Sequence, residues 1–418
     1  MTDAFATPGT TDIAVIGGGI VGLSCAHALA QRGLDVTVIE ARGPGAETSH
    51  GNAGSISIGN VLPQSTPGIL WKGLSMLFDP EAPLRLDWGA MPNWFGWVAR
   101  FVLAGGKGRV MPIIEGMHAI NTASREAWLK LAADIGAPEL VADTGYLHVY
   151  GETETFEKGA WERELMLQRK VGFKVLDTKE LRELEPDIGE GFRHAVFQNE
   201  SLAMLDPGGF CIRLADALKA RNVGWFAATV GEIGKLPGGG YKLVTDQGTV
   251  HAKRIVMAAG VWSTRLLRPF KAAFPMIPAR GYHLMYPQQD NVARRPTLWA
   301  ERYMVVTPMV PGIRMTSIKE LTAIGRDPNY SMIHRRDADA HRLFPKLGAA
   351  TGQWFGYRPC TPDSLPVIDR APHEDIFIAA GHGHLGLTQA AITGQLVGQM
   401  VMGEGTSIAM EPYRLSRF

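Results

Sequence analysis

A glycine-rich turn between a short strand and a helix is the feature that most constrains how this chain folds. Residues 12–16 (DIAVI) are mostly apolar and β-branched, and GGGIVG follows directly at 17–22. A helical pattern then ends near Gly33, and a second strand-like stretch, residues 35–39, ends at Glu40. This order of strand, glycines, helix, strand and acidic residue predicts a dinucleotide-binding βαβ unit.

Each glycine of the turn has its own physical role. Gly17 permits the tight turn, Gly19 lets the backbone approach a pyrophosphate, and Gly22 lets the helix pack closely on the strand. The helix N-terminus then presents free N–H groups to the phosphates. Glu40 is placed to accept hydrogen bonds from ribose hydroxyls, and its charge disfavours a 2′-phosphate. The turn therefore predicts NAD or FAD rather than NADP.

Composition narrows the class of protein. A chain of 418 residues is expected to form about two domains. A net charge of +1 without blocks of like charge argues against nucleic-acid binding. Cys25, Cys211 and Cys360 are too few and too scattered for a disulfide framework or a zinc site. With no signal-like N-terminus and no long apolar run, a cytoplasmic protein is expected.

Four segments resemble the D-amino-acid oxidase superfamily of FAD-dependent flavoproteins. They are IAVIGGGIVGLSCAHALAQRGLDVTVIEA, TSHGNAGSIS, IVMAAGVWS, and WFGYRPCTPDSLPVID followed by GHGHLGLTQAAITG. They occur in the family's order between residues 12 and about 398, so the likeness covers nearly the whole chain. The most similar branch is that of the bacterial D-amino-acid dehydrogenases and hydroxy-D-proline dehydrogenases.

The resemblance implies an α/β fold with a Rossmann-like FAD-binding domain and an inserted substrate domain that contains an antiparallel sheet and helices. The expected FAD-binding domain comprises residues 1–67, 190–270 and 350–418, and the expected substrate domain comprises residues 68–189 and 271–349. The later part of the substrate domain contains several strand-like runs in which apolar and polar residues alternate, and this pattern agrees with an antiparallel sheet.

The resemblance also implies non-covalent FAD. The family's flavin-linked cysteine would fall near Gly356, and Cys360 is offset from that position. A helix N-terminus after the glycine-rich GHGHLGL segment would stabilise negative charge on the reduced flavin. The expected FAD contacts are Gly17, Gly19, Ile20, Gly22, Glu40, Ala41, Ser49, Asn52, Ala53, Gly54, Val230, Ala259, Gly260, Trp262, Gly383, His384, Leu385, Gly386, Leu387 and Thr388.

Arg358, in the G-x-R-P motif GYRP, is the residue that the resemblance assigns to the substrate carboxylate, although a structural salt bridge is the alternative. A planar guanidinium suits a two-point contact with a carboxylate. Tyr282 and His283 cannot both face a pocket in a regular strand, and we favour Tyr282. His50 and Glu320 are further candidates. A structural loop residue is the alternative for His50, and Glu320 could hold a secondary amine, with a solvated strand residue as the alternative.

The expected reaction is dehydrogenation of a D-amino or D-imino acid, with a quinone or another flavoprotein as electron acceptor. The segments SHGNAGSISIGNVLPQSTPG and KGLSMLFDPEAPL favour a D-proline or hydroxy-D-proline substrate. A sarcosine- or glycine-type amine oxidase that uses oxygen, and a flavin-binding subunit of a heteromeric dehydrogenase, are the alternatives. The aromatic stretch at residues 94–103 favours core packing of the inserted domain. The other interpretations are a peripheral contact at the inner membrane face and a docking site for an electron acceptor. The oligomeric state stays open.

Overall fold

The computed structural model describes residues 9–71, 73 and 82–418, so part of the KGLSMLFDPEAPL segment lies outside the described residues. The strands are β1 Thr10–Ile16, β2 Val36–Glu40, β3 Ser55–Ile56, β4 Leu84–Leu86, β5 Val141–Ala142, β6 Tyr146–Tyr150, β7 Lys174–Leu176, β8 His194–Gln198, β9 Leu202–Met204, β10 Gly224–Ala227, β11 Val230–Lys235, β12 Tyr241–Thr245, β13 Gly248–Met257, β14 Ile277–Tyr286, β15 Thr297–Trp299, β16 Met304–Met309, β17 Gly312–Leu321, β18 Gly352–Cys360, β19 Val367–Arg370 and β20 Ile376–Ala380. The helices are α1 Ile20–Ala30, α2 Met91–Ala104, α3 Lys107–Asp134, α4 Thr153–Lys158, α5 Ala160–Gln168, α6 Thr178–Leu184, α7 Pro207–Ala220, α8 Ser263–Leu267, α9 Ser331–His334, α10 Asp337–Leu343 and α11 Gly386–Met402.

The glycine turn belongs to a sheet that we call the cofactor sheet. Strands β10, β2, β1, β13 and β20 run parallel in it, while β12, β11 and β19 add antiparallel pairs. Its parallel strands are apolar because both faces are covered. One face packs on α1, α7 and α11, and the other on the apolar cluster around Phe270 and Phe274. The sheet therefore holds the turn after β1 rigidly.

A largely antiparallel sheet, called here the roof sheet, faces the cofactor sheet across a cavity. Its strand order is β18-β14-β17-β16-β15-β6-β8-β7, and β4 pairs with β17. The expected antiparallel sheet is therefore present. In the described part of the chain, no helix has the length and apolar character that crossing a bilayer needs.

The pairing of the strands shifts the expected domain boundaries. Strands β8 and β18 were assigned to the FAD-binding domain, yet both hydrogen-bond within the roof sheet. Helix α3 was assigned to the substrate domain, yet it packs on α11, where the indole N–H of Trp128 donates to the carbonyl oxygens of Leu387 and Thr388 at 3.0 Å. These partners are distant in sequence, so local pattern did not indicate them.

A β-bulge in β17 changes which side chains face the cavity. Arg280 of β14 pairs with Glu320, but Tyr282 pairs with Ser317, so one residue of β14 opposes two residues of β17. Ile318, within the bulge, has φ +64°, a conformation that β-branched residues rarely adopt. The bulge interrupts the alternation of the strand, and residues 316–319 all reach the cavity wall.

Candidate active site

The cavity between the two sheets has a volume of about 1410 Å³. Ligand sites for small molecules are usually about 300–1,000 Å³. Its walls include the glycine turn, residues 47–49 and 51–53 of the loop after β2, the segment at residues 258–262 and the segment at residues 382–388. The volume and the lining are therefore suited to a large cofactor together with a substrate.

The glycine turn after β1 closes against neighbouring backbone. Gly17 has φ +108°, and a Cβ there would lie 2.5 Å from the carbonyl oxygen of Ala258. A Cβ on Gly22 would overlap the carbonyl oxygen of Gly17, so a side chain at position 22 would push α1 away from β1. Gly22 thus sets the helix packing, as predicted, and is not itself part of the cavity wall.

Glu40 lies at the cavity end of β2 and holds the turn in place. Its Oε2 accepts a hydrogen bond from the N–H of Gly18 at 2.6 Å, and its Oε1 accepts one from the N–H of Arg42 at 2.9 Å. A carboxylate offers about four acceptor positions, so two of them stay available to ribose hydroxyls. The position of Glu40 agrees with the ribose contact that the sequence predicts.

The loop after β2 is tied both to α1 and to the roof sheet. Ser49 Oγ accepts from the N–H of Ile20 at 3.0 Å, and Asn52 Oδ1 accepts from the N–H of Gly54 at 2.7 Å. Arg314 of β17 donates through Nη1 to the carbonyl oxygens of His50 and Asn52, both at 2.8 Å. Burial lowers the pKa of Arg314 to about 10. Sequence reasoning missed Arg314, because only the folded sheet brings it to the loop.

The C-terminal segment forms the opposite wall. A short 3-10 turn, Gly383–Leu385, leads into α11, and Gly381 and Gly383 both have positive φ values of 83° and 56°. Thr388 Oγ1 accepts from the N–H of Ser57 at 3.0 Å, which joins this wall to the loop after β2. Eighteen of the twenty expected FAD contacts line the cavity, the exceptions being Gly22 and Gly54.

These residues fit FAD. The turn has no room for side chains where a pyrophosphate would approach, and the carboxylate of Glu40 lies where the ribose is expected. The glycine-rich start of α11 lines the same cavity. Cys360 is buried, and its thiol belongs to β18 beside Gly383 rather than to the cavity wall. Non-covalent binding stays a prediction.

Arg358 lies in the cavity wall contributed by β18. Its guanidinium packs over Gly281, where a Cβ would overlap it, and Nη1 donates to the carbonyl oxygen of Ile318 at 3.1 Å. No carboxylate of the described residues lies within ion-pair distance of it. Burial lowers the pKa of Arg358, so an incoming carboxylate would restore the charge balance.

The sequence predicts that Tyr282, Glu320 and His50 line the pocket, but the structure places none of the three in the cavity wall. The hydroxyl of Tyr282 donates to Glu320 Oε2 at 2.6 Å, and Arg280 Nε donates to the same oxygen at 2.8 Å. This buried cluster occupies the far face of the roof sheet. Burial and Glu320 raise the pKa of Tyr282 above its ordinary value.

His50 also lies outside the cavity wall. Its ring packs beside Trp354 and Gly208, and burial lowers its pKa. His283, the alternative to Tyr282, is directed at the carbonyl oxygen of Gly51 and stacks on Trp354. Neither histidine lines the cavity in the described structure.

Lys319 and Gln64 are among the polar cavity residues that were not predicted. Lys319 reaches the cavity from the bulge of β17, and Gln64 comes from the loop that follows β3. If β17 were regular, Lys319 and Arg358 would not be expected on the same face of the sheet. The bulge brings them to one face, and the alternation of residues in the sequence does not show where a bulge occurs.

Comparison with known proteins agrees with this site. The family model described as "FAD dependent oxidoreductase" matches residues 12–400. The chain therefore belongs to this family and is an FAD-dependent oxidoreductase, as the sequence resemblance indicated.

Among curated relatives, a "D-amino-acid oxidase" from Bradyrhizobium diazoefficiens is 31% identical, with coverage of 97% of this chain and 98% of the relative. A "D-amino acid dehydrogenase" from Paramagnetospirillum magneticum is 30% identical over the same shares of the two chains. Glycine oxidase from Geobacillus kaustophilus has the same fold, with a TM-score of 0.78, 20% identity and coverage of 98% of this chain and 99% of that chain.

Proposed function

We propose that this protein is a D-amino-acid dehydrogenase, which oxidises a D-amino or D-imino acid at its α-carbon to the imine. The observation that carries the proposal is Arg358, a half-buried cation in the cavity wall that lacks a carboxylate partner among the described residues. The names of the relatives support a D-amino acid as substrate. The FAD, when bound, supplies the acceptor for the hydride of the α-carbon.

The chain contributes binding and orientation. Arg358 binds the α-carboxylate with its planar fork, and its bond to Ile318 limits the positions that the guanidinium can take. The apolar walls exclude water from the reacting carbon. An amine that enters in its neutral form needs no strong base, so orientation dominates over proton abstraction.

The finer proposal is a substrate of the D-proline or hydroxy-D-proline type and a quinone or another flavoprotein as electron acceptor. Its support is the sequence of the loop after β2. An oxygen-using amine oxidase is the second candidate, favoured by the relative named as an oxidase. Hydrogen peroxide release measured against dye reduction separates the two, and activity of the purified single chain argues against a subunit of a heteromeric enzyme.

The contact between Arg358 and the α-carboxylate is tested with Arg358→Lys, which keeps the charge but loses the two-point contact. We expect kcat/KM to fall at least about thirtyfold, or roughly 2 kcal/mol, with FAD still bound. The exposed Arg193→Lys is the control. A near-normal kcat/KM would rule out the contact between Arg358 and the α-carboxylate. If kcat/KM falls equally for the decarboxylated amine, which has no carboxylate, Arg358 is structural.

We also propose a peripheral membrane contact through the outer face of α2. Trp94 and Trp97 are buried, as the core-packing interpretation expects, but Phe95 is 65% and Leu103 59% exposed. The nearby Trp88 is 64% exposed. Helix α2 has no acidic residue, and Arg100, Lys107 and Arg109 are exposed close to it. An apolar face edged by cations suits an anionic lipid surface.

Co-sedimentation with anionic vesicles tests this contact. Phe95→Asp should release the protein into the supernatant, whereas Leu167→Asp, at an apolar residue of α5 that is 67% exposed, should not. Equal sedimentation of both variants would refute the α2 contact.

A further inference from the structure

Lys319 lies in the same cavity wall as Arg358. Strands β17 and β18, which carry the two cations, flank β14, and Gly281 of β14 lies between them without a side chain. Arg358 reaches across this gap to the carbonyl oxygen of Ile318, the residue before Lys319. The two cationic heads therefore enter the cavity from neighbouring positions.

The partners of Lys319 leave its charge uncompensated. Its Nζ donates to Gln64 Oε1 and lies 5.9 Å from the ring centroid of Trp97 and 6.0 Å from that of Phe101. Within residues 9–71, 73 and 82–418, no carboxylate pairs with it. Burial lowers the pKa of Lys319, and Arg358 lowers it further. An ammonium in such a place is costly unless a ligand brings an acceptor.

The position of the ammonium is fixed before any ligand enters. Gln64 Nε2 lies 2.9 Å from His384 Nδ1, and the backbone N–H of Gln64 donates to Ser364 Oγ at 3.0 Å. Desolvation and the two nearby cations lower the pKa of His384 to about 3, which favours the neutral ring. Gln64 thus holds Lys319 with one acceptor, while the other ammonium N–H groups stay available.

One α-carboxylate can pair with Arg358, which leaves Lys319 with the amide oxygen of Gln64 as its acceptor and with no anionic partner among the described residues. We propose that Lys319 is a specificity-determining residue that donates a hydrogen bond to a second oxygen of the substrate, a hydroxyl or carboxylate on its side chain or ring. This inference rests on the proposed function, in which Arg358 holds the α-carboxylate. A hydrocarbon substituent at that place leaves the remaining N–H groups of the half-buried ammonium without an acceptor, and sites built for a polar group reject such analogues strongly.

Matched substrate pairs test the proposal. In each pair only the second oxygen group differs: hydroxy-D-proline against D-proline, and D-glutamate against D-norvaline. The wild type should favour the oxygen-bearing member of at least one pair by about tenfold or more in kcat/KM. Lys319→Met keeps the apolar stem against Trp97 and Phe101 and should bring that ratio close to one. The exposed Lys242→Met is the control and should keep the wild-type ratio.

A binding measurement tests the same contact without turnover. Butyrate, 4-hydroxybutyrate and succinate are unreactive acids that differ at the distal carbon, and their Kd values follow from perturbation of the flavin absorbance. We expect succinate or 4-hydroxybutyrate to bind about tenfold more tightly than butyrate, and Lys319→Met to remove the difference.

Two outcomes overturn the inference. One is an equal loss in Lys319→Met on both members of each pair with unchanged Kd differences, which would assign Lys319 to the flavin or to folding. The other is a wild type without any preference for the second oxygen. If no D-amino acid is oxidised, the proposed function fails, while the titration with unreactive acids still tests Lys319.

Discussion

Glu40 offers the most direct test of how the glycine turn binds the cofactor. Its carboxylate accepts N–H bonds from Gly18 and Arg42 at 2.6 and 2.9 Å and keeps further acceptor positions toward the cavity. A hydrogen bond to a charged group contributes about 1.5–3 kcal/mol. Loss of the ribose contact in Glu40→Ala should therefore raise the Kd for FAD by roughly ten- to a hundredfold.

Glu40→Gln separates charge from shape. The amide keeps one acceptor oxygen, but its NH₂ group cannot accept from the second backbone N–H. We expect it to weaken FAD binding about as much as Glu40→Ala. Titration of apoprotein by quenching of flavin fluorescence gives the Kd, and KM should stay unchanged once FAD is saturating. The exposed Glu232→Ala on β11 is the control. A Kd within threefold of the wild type for both variants would place Glu40 away from the ribose.

Three further predictions concern the cluster behind the roof sheet, the rim of the cavity and the flavin linkage. Glu320→Ala should destabilise the protein by about 3–5 kcal/mol in urea unfolding, because it leaves Arg280 and Tyr282 buried without their acceptor, while the Kd for FAD stays the same. Unchanged stability together with a loss of kcat/KM would instead mean that Glu320 acts on the substrate. Burial raises the pKa of Glu162 to about 7 from an ordinary 4.5, so its contribution to stability is complete below pH 4.5 and is lost as pH rises through 7. Glu162→Gln should therefore gain stability over the wild type, by up to about 3 kcal/mol, as pH rises from 4.5 to above 7, and parallel stability curves of the two proteins would contradict this assignment. Acid precipitation should release FAD into the supernatant, and flavin retained in the pellet would show a covalent bond.

Much of the fold could be predicted from the sequence because its signals are local. The strand before Gly17, the helix that begins at Ile20 and the acid that ends β2 all occur within residues 10–40 and follow one steric logic. The resemblance then indicated the cofactor walls, and Arg358 is indeed part of the cavity. The domain boundaries at β8 and β18 could not be predicted in this way, because pairing across the roof sheet is not encoded in local periodicity.

The sequence by itself determined the cofactor turn and the class of chemistry, since glycine geometry and the order of motifs need no long-range information. Only the tertiary structure decided which side chains meet the substrate. The bulge at Ile318 turns Lys319 into the cavity and leaves Glu320 on the far face with Tyr282, although an unbroken strand would alternate them differently. One extra residue in a strand moves every later side chain of that strand to the opposite face of the sheet. The place of the extra residue depends on how the strand pairs with its neighbour.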